Sequence, residues 1–577
     1  MRSTANDPMD GTTSPSEPEN GSPSAAGWVL TRRQTYGVLI ALMAFGFFLR
    51  AWDISLTPYN IDEGILSILA TQAAFLRAEE GPALLGLPLV GVRTSFGFHN
   101  PPLLVWLCAI PFRISGDPRF AMVLFAMAGA GAIGLAGGAA RRLWGNWAGV
   151  AAGALLAFCP NAIEHSRRLW GHDTILFWSA LSLYTAVRSI QTGRKRWMWT
   201  SLGCAACAQA CHLSGVFLWI VPLGAMWLFR VPHWRKTLAV AAAVLLAIYL
   251  PWLAHQATPG AGSGRAPFDE VALIAKVALG QTAIESRPTQ IPPALTLATI
   301  LVDGFHSDLF GREYGAFLFN KGWFALLYAA AQGVLAALLA AGLASLLFLA
   351  RRGWKSPGEA QWRASRWSVL LLAAVLTPVA AFTILPVESV PPYQLPALVP
   401  AALAVARVMA RGRRDAPVPY SLPRLAVLLT ALTCFAMFGT LYTKRSLAYI
   451  EDARFQSEVS SVLHFKMDAL VYIVGEAANR PYSIAQDGRT EAVGVDYWVV
   501  YLHYYISGDR RLPVDRNAPV LYVLLDSKST LRPEVSEFLR HKEQVNFGTI
   551  GVFRFEGLEA QAWRALVNQF PSARPGP

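Results

Sequence analysis

The stretch Pro101-Pro102-Leu103-Leu104-Val105-Trp106-Leu107, apolar on to Phe112, decides how this chain is threaded. It is too short for a membrane span, which needs about 20 apolar residues, and its two prolines suit the start of a helix. Around it lie eleven apolar runs, near residues 35–51, 119–140, 146–162, 174–190, 198–211, 214–229, 237–253, 323–350, 367–385, 392–410 and 424–442. Basic clusters stand between them: Arg32-Arg33, Arg141-Arg142, Arg194-Lys195-Arg196, Arg235-Lys236, Arg351-Arg352 and Arg411 with Arg413-Arg414. Lys and Arg concentrate in the cytoplasmic loops of membrane proteins. With eleven spans and 101–112 not crossing, every cluster falls on that side. If 101–112 crosses, Arg141-Arg142 and all later clusters invert. The stretch therefore reads as a re-entrant or interfacial helix on the outer side, with the N-terminus cytoplasmic and the C-terminus extracytoplasmic.

Composition agrees. Of 577 residues, 54% are hydrophobic and only 15% charged, the balance of a polytopic α-helical membrane protein. Nineteen Trp and seventeen Tyr suit a chain with many bilayer interfaces. The formal charge of +13 sits in short runs between apolar segments, a topological signal rather than a nucleic-acid patch. Residues 1–30 are rich in Ser, Pro and Gly and read as a disordered cytoplasmic tail. Residues 31–442 form the transmembrane body, and 443–577 turn polar. There Ala518–Leu525 and Gly548–Phe555 read as strands and Pro533–His541 as a helix, the parts of a small extracytoplasmic α/β domain.

All six Cys fall in apolar segments, so no disulfide framework is implied. Cys204, Cys207 and Cys211 are helically spaced ahead of His212, which reads as small soft residues on one helix face. A c-type haem site needs Cys-x-x-Cys-His, one residue shorter than Cys207-Ala208-Gln209-Ala210-Cys211-His212.

The parity argument gathers four polar pieces on the outer face: Asp62-Glu63, His99-Asn100, Glu164 to Asp173, and Glu388 to Tyr393. Adjacent carboxylates beside hydrocarbon need a reason, and a base that activates an acceptor hydroxyl is one. A phosphate-linked donor needs cations, and the Arg fork binds phosphate bidentately. Arg167 and Arg168, with His99 and His172, are candidates for that task. Each piece has a plainer account: Asp62 as a helix N-cap, Arg167-Arg168 as snorkelling residues, Glu388 as a solvated loop residue. Their joint placement carries the argument.

That joint pattern resembles the polyprenyl-phosphate-sugar-dependent integral membrane glycosyltransferases, which include protein mannosyltransferases and lipid A aminoarabinose transferases. The matching features are the Asp-Glu pair after the first span, x-Pro-Pro-Leu before an interfacial helix, Ser166-Arg167 through Asp173, and Pro392-Tyr393-x-x-Pro396-x-x-x-Pro400. The resemblance implies a GT-C fold and an inverting transfer from a polyprenyl-phosphate sugar to a lipid, glycan or protein acceptor at the cell (inner) membrane. It implies that Asp62 lies at the reaction centre, supported by Glu63, and that Asp173 lines the same cavity. His99, Asn100, Arg167, Glu388 and Tyr393 complete the expected substrate-binding set. The pattern departs from the family where Asn100 replaces His or Lys before Pro-Pro-Leu and Pro392 replaces an Arg before the Tyr. The resemblance fixes no cofactor and leaves a divalent metal open. Some members bind a divalent metal through acidic and His residues of these loops, which the resemblance extends weakly to His306 and Asp308. A flippase or transporter without bond chemistry is the alternative, and the scarcity of charge within the spans argues against it.

Overall fold

The computed structural model describes residues 30–52, 54–57, 59, 61–76, 83–94, 98–232, 234–257, 268–278, 323–354, 359–384, 391–409, 463–477, 480–486, 497–507, 518–526, 533–547 and 550–568. The expected span at 424–442, Glu388, His306 and Asp308 lie outside them. The described chain is mostly helical. The first half holds α1 (Arg32–Ala51), α2 (Ile61–Ala74), α3 (Leu103–Ile114), α4 (Pro118–Trp144), α5 (Asn146–Phe158), the short α6 (Pro160–Glu164), α7 (Ile175–Thr192) and α8 (Lys195–Cys211). Then come α9 (Ile220–Leu228), α10 (Trp234–Ala257), α11 (Asp269–Ala278), α12 (Trp323–Trp354), α13 (Glu359–Ile384) and α14 (Leu395–Met409). Among the described residues, five helices are long and apolar enough to cross a membrane: Arg32–Ala51, Pro118–Trp144, Trp234–Ala257, Gly333–Gly353 and Gln361–Ile384.

Helix starts follow local chemistry. Thr31 caps α1: its hydroxyl accepts from the Gln34 amide at 3.2 Å, and the Gln34 side chain accepts from the Thr31 amide at 2.9 Å. This reciprocal box satisfies two donors that a helix N-terminus otherwise leaves orphaned. Asp117 caps α4 through the Arg119 amide at 2.8 Å, with Pro118 in the first turn. The centre is packed by small residues. Gly129, Ala132, Ala136, Gly137 and Ala140 of α4 are buried, as are Ala148, Gly149, Ala152 and Gly153 of α5. Small residues let helix backbones approach closely where no hydrophobic drive separates protein from lipid. By contrast only 17% of the most apolar window of α10 is buried, and Val240, Val244, Leu246 and Leu250 project outward.

The two ends of the bundle differ. At one, Arg141 Nη2 donates to Tyr36 Oη at 2.8 Å and Arg142 Nη1 to Gln191 Oε1 at 3.1 Å, joining α1, α4 and α7. At the other, Arg50 near the end of α1 is fully buried. Its guanidinium donates to the carbonyls of Gly46 and Leu156 at 2.9 Å and to Ser166 Oγ at 3.3 Å. Both ends of α3 lie at this second end: it starts beside His99 and packs on α2, and it leaves at Gly116, whose carbonyl accepts from Tyr501 Oη at 2.5 Å.

The C-terminal part adds α15 (Leu463–Ala477), α16 (Tyr497–Ser507), α17 (Pro533–Leu539) and α18 (Leu558–Asn568). After the small hairpin β1 (Ala83–Leu84) and β2 (Leu87–Pro88), its strands are β3 (Tyr482–Gln486), β4 (Val520–Asp526), β5 (Gln544–Phe547) and β6 (Ile550–Glu556). These four form one sheet in the order β3-β4-β6-β5, with β3 and β4 parallel and the other pairs antiparallel. Alternation along β4 divides the sheet's faces. Leu521 and Val523 pack with Phe555, Val535 and Trp563 under α17 and α18. Val520, Tyr522 and Leu524 join a second core with Leu470 of α15, Leu502 of α16, Leu66 of α2 and Val105 of α3. The sheet is therefore welded to the loop end of the bundle through a shared apolar core.

Candidate active site

Asp62 and Glu63 stand in the first turn of α2, where a carboxylate is favoured by the helix dipole. Consecutive residues on a helix diverge by about 100°, and the two side chains part company. Glu63 is fully buried and accepts from Arg168 Nη2 at 2.7 Å and Nε at 3.1 Å. Asp62 instead lines a cavity of about 170 Å³. Burial and the neighbouring Glu63 push its pKa up to about 6, against the pull of Arg168 and a hydrogen bond from Trp170.

The segment Glu164–Asp173 builds the wall beside it. The Arg168 amide donates to Asp173 Oδ2 at 3.0 Å, and Asp173 Oδ1 lies 3.4 Å from His165 Nδ1. Burial raises the Asp173 pKa despite His165 and Arg168. Burial works against the Arg168 cation, but Glu63 and Asp173 hold its pKa above the ordinary arginine value. The Arg168 guanidinium also sits 4.5 Å from the Trp170 ring centroid, a cation–π contact. Gly171 lets this segment close on α8, because a Cβ there would lie 2.6 Å from the Cys211 carbonyl oxygen. That approach stacks His172 on His212, with ring centroids 3.5 Å apart. Tyr393 and Phe382 continue the stack.

Across the cavity, residues 90–94 run antiparallel to 98–100. The Gly91 amide donates to Asn100 O at 2.7 Å, and Asn100 Nδ2 donates to Val92 O at 3.1 Å. Asn100 and Arg93 are both among the residues that line the cavity. His99 faces another way. Its Nδ1 lies 2.7 Å from Glu270 Oε1, its amide donates to Glu270 Oε2 at 3.0 Å, and the His255 ring meets it edge-on at 6.0 Å. Burial opposes ionisation of Glu270, but the His99 hydrogen bonds hold its pKa low, at about 2. One ligand atom from each of His99, His255 and Glu270 lies within 4.8 Å of the others. Two imidazoles and a carboxylate are a donor set that suits a divalent ion with an open position.

The structure thus brings Asp62, Asn100 and Tyr393 to one cavity. Glu63 and Asp173 are not among its lining residues; they hold Arg168 and the segment carrying His172. Arg167 donates to the carbonyls of Trp52 at 2.7 Å and Leu49 at 3.4 Å, a cap on the end of α1 and no part of the cavity wall. Arg167 is thus turned toward the end of α1, and the arginine among the cavity's lining residues is Arg93. Arg93, His255 and Glu270 escaped the sequence reading. The first sits in an unremarkable loop, and the other two are far from His99 in the chain. His212 was visible only as the tail of a Cys-rich helix.

Residues 99–255 match the profile of the dolichyl-phosphate-mannose-protein mannosyltransferase family. Among solved structures, ArnT from Cupriavidus metallidurans bound to undecaprenyl phosphate superposes with a TM-score of 0.53 at 12% identity, over 91% of this chain and 98% of that one. The apo form of the same protein gives 0.51 at 14% identity, over 90% and 97%. No curated protein sequence matches. The resemblance read from the sequence is met on both counts: the chain has the fold of these GT-C structures and, over residues 99–255, the sequence pattern of the dolichyl-phosphate-mannose-protein mannosyltransferases.

Proposed function

We propose that this protein is an inverting membrane glycosyltransferase. It moves a sugar from a polyprenyl-phosphate carrier to an acceptor on the extracytoplasmic side of the cell membrane, where the basic clusters put Asp62. The observation that carries this reading is the division of labour between the paired carboxylates. Glu63 is neutralised by Arg168, whereas Asp62 faces a cavity with its pKa raised to about 6, poised for proton transfer near neutral pH. Similarity to a protein bound to undecaprenyl phosphate supports the carrier class.

In this mechanism Asp62 takes the proton of the acceptor hydroxyl as its oxygen bonds to the anomeric carbon. The bond from that carbon to the phosphate oxygen breaks in line, and polyprenyl phosphate leaves with the electron pair. Charge on the leaving phosphate calls for nearby cations, and Arg93, among the described residues that line the cavity, is assigned that task. His99, His255 and Glu270, which lie outside the cavity lining, would hold a divalent ion whose charge would fix the segment that carries Asn100. Asn100 and Tyr393 bound the substrate space, and Arg168 and Asp173 hold the wall.

The test is transfer by purified protein in lipid, with a panel of polyprenyl-phosphate sugars and a membrane-extract acceptor pool, comparing wild type with Asp62→Asn. Transfer by wild type that is lost in the variant, with donor binding retained, is the expected result. Donor binding without transfer from any donor would favour the transporter.

A further inference from the structure

His172 is the best-hidden polar group of the cavity wall, and its environment leaves it unsatisfied. The side chain is 2% exposed and lines the cavity. Trp170 lies at 4.1 Å, His212 at 3.5 Å and Tyr393 at 5.3 Å between ring centroids. Yet neither Nδ1 nor Nε2 has a hydrogen-bond partner among the described residues. A buried, unpaired polar group destabilises a fold, and such groups in native proteins call for an explanation. The neighbour makes the contrast: His212 Nδ1 accepts from the Ser214 amide at 3.1 Å and lies 2.9 Å from its hydroxyl.

The charge state narrows what the missing partner is. Burial, then His212, His165 and Arg168, push the His172 pKa well below its ordinary value. The ring is therefore neutral, with one N–H and one lone pair. A phosphate only accepts and an ammonium only donates, so each would suit one nitrogen alone. A hydroxyl both donates and accepts, and so matches whichever nitrogen it meets. The stacked aromatic faces around His172 suit the apolar face of a sugar ring.

We propose that His172 is a specificity-determining residue that hydrogen-bonds a hydroxyl of the donor sugar in the Asp62 cavity. The inference rests on the sugar-transfer reading above. It makes the neutral imidazole a reader of sugar hydroxyls rather than a cation for the phosphate.

The test uses the full-length protein in lipid, the polyprenyl-phosphate sugar it accepts, and the monodeoxy analogues of that sugar. His172→Phe keeps the stacked ring and removes both hydrogen-bonding atoms. The variant should lose roughly tenfold in kcat/KM for the parent sugar. One deoxy donor, already poor with wild type, should lose little more, and the thermal midpoint should hold or rise because an unsatisfied group has gone. An equal loss across all deoxy donors, or a lowered midpoint with unchanged sugar preference, would overturn the proposal and leave His172 a packing residue. If His172→Phe does not accumulate, His172→Gln takes its place, with altered weight on one hydroxyl expected and unchanged preference the contrary result. Absence of transfer by wild type from every donor would remove the glycosyltransferase reading and this inference with it. Transfer with a preference indifferent to residue 172 would remove the inference alone.

Discussion

The two ends of the helical bundle handle charge in opposite ways. At the end with Arg141, Arg142 and Arg194-Lys195-Arg196, cations are exposed or half-buried and meet neutral partners such as Tyr36 and Gln191. At the Asp62 end, Glu63, Arg168, Asp173, His165 and Lys466 are all buried. Solvated charge is cheap and records topology, whereas buried charge is tolerated only with partners and tends to mark function. The same residue types are thus solvated at one end and buried among partners at the other.

The strongest way to break this comparison is to remove one partner from the buried set. Arg168→Met removes the guanidinium that pairs with the buried Glu63 carboxylate and should destabilise the protein by about 3–5 kcal/mol, read as a lowered thermal midpoint in detergent or nanodiscs. A midpoint unchanged by the substitution would mean that water reaches Glu63. Next in size is Lys466, whose ammonium donates to the Tyr59 carbonyl at 2.6 Å and lies 4.5 Å from the Trp498 ring. This contact ties α15 to the loop just before Asp62. Lys466→Met should cost about 1–3 kcal/mol and speed hydrogen exchange in residues 61–66; unchanged exchange would show that α15 does not brace the loop.

The charge state of Asp62 gives a pH signature that sharpens the contrast. Its folded pKa is raised from 3.8 to about 6, so the protonated acid is the form the fold prefers. The stability it contributes is complete below its unfolded pKa and is lost as pH rises through the folded value. Transfer should run the other way, falling about tenfold per unit below pH 6 as the base is protonated. Asp62→Asn should flatten the stability change, and a variant that keeps it would assign the titration to another group. The smallest effect belongs to the far end. Arg141→Gln loses a hydrogen bond and a 4.8 Å cation–π contact with Tyr36, and should shift stability by less than about 1 kcal/mol with no change in transfer.

Much of the fold was legible because the bilayer makes strict demands. Apolar runs and capping signals such as Thr31 and Asp117 mark helices in the chain, and the strand expected at Ala518–Leu525 emerges as Val520–Asp526. The candidate site was legible in part. Asp62, Asn100 and Tyr393 meet at one cavity, but the neighbours Arg167 and Arg168 cannot be told apart by composition. Which one caps α1 and which one pairs with Glu63 depends on how a short irregular segment turns between α6 and α7. Glu270 reaches His99 only because α11 folds back beside α10, with Gln256 Nε2 donating to Glu270 at 2.7 Å.

By itself, the sequence indicated the class of molecule: a chain of apolar helices with basic clusters between them, paired carboxylates after the first, and a more polar C-terminal part with strands. Local rules of hydropathy, capping and loop charge suffice for that, since each acts over a turn or a span. Only the tertiary structure decided which carboxylate faces the cavity, which arginine neutralises its neighbour, and which histidine has both ring nitrogens unpartnered among the described residues. Those outcomes are set by helix rotation and by contacts between residues more than a hundred positions apart, such as Glu63 with Arg168. No spacing rule encodes them.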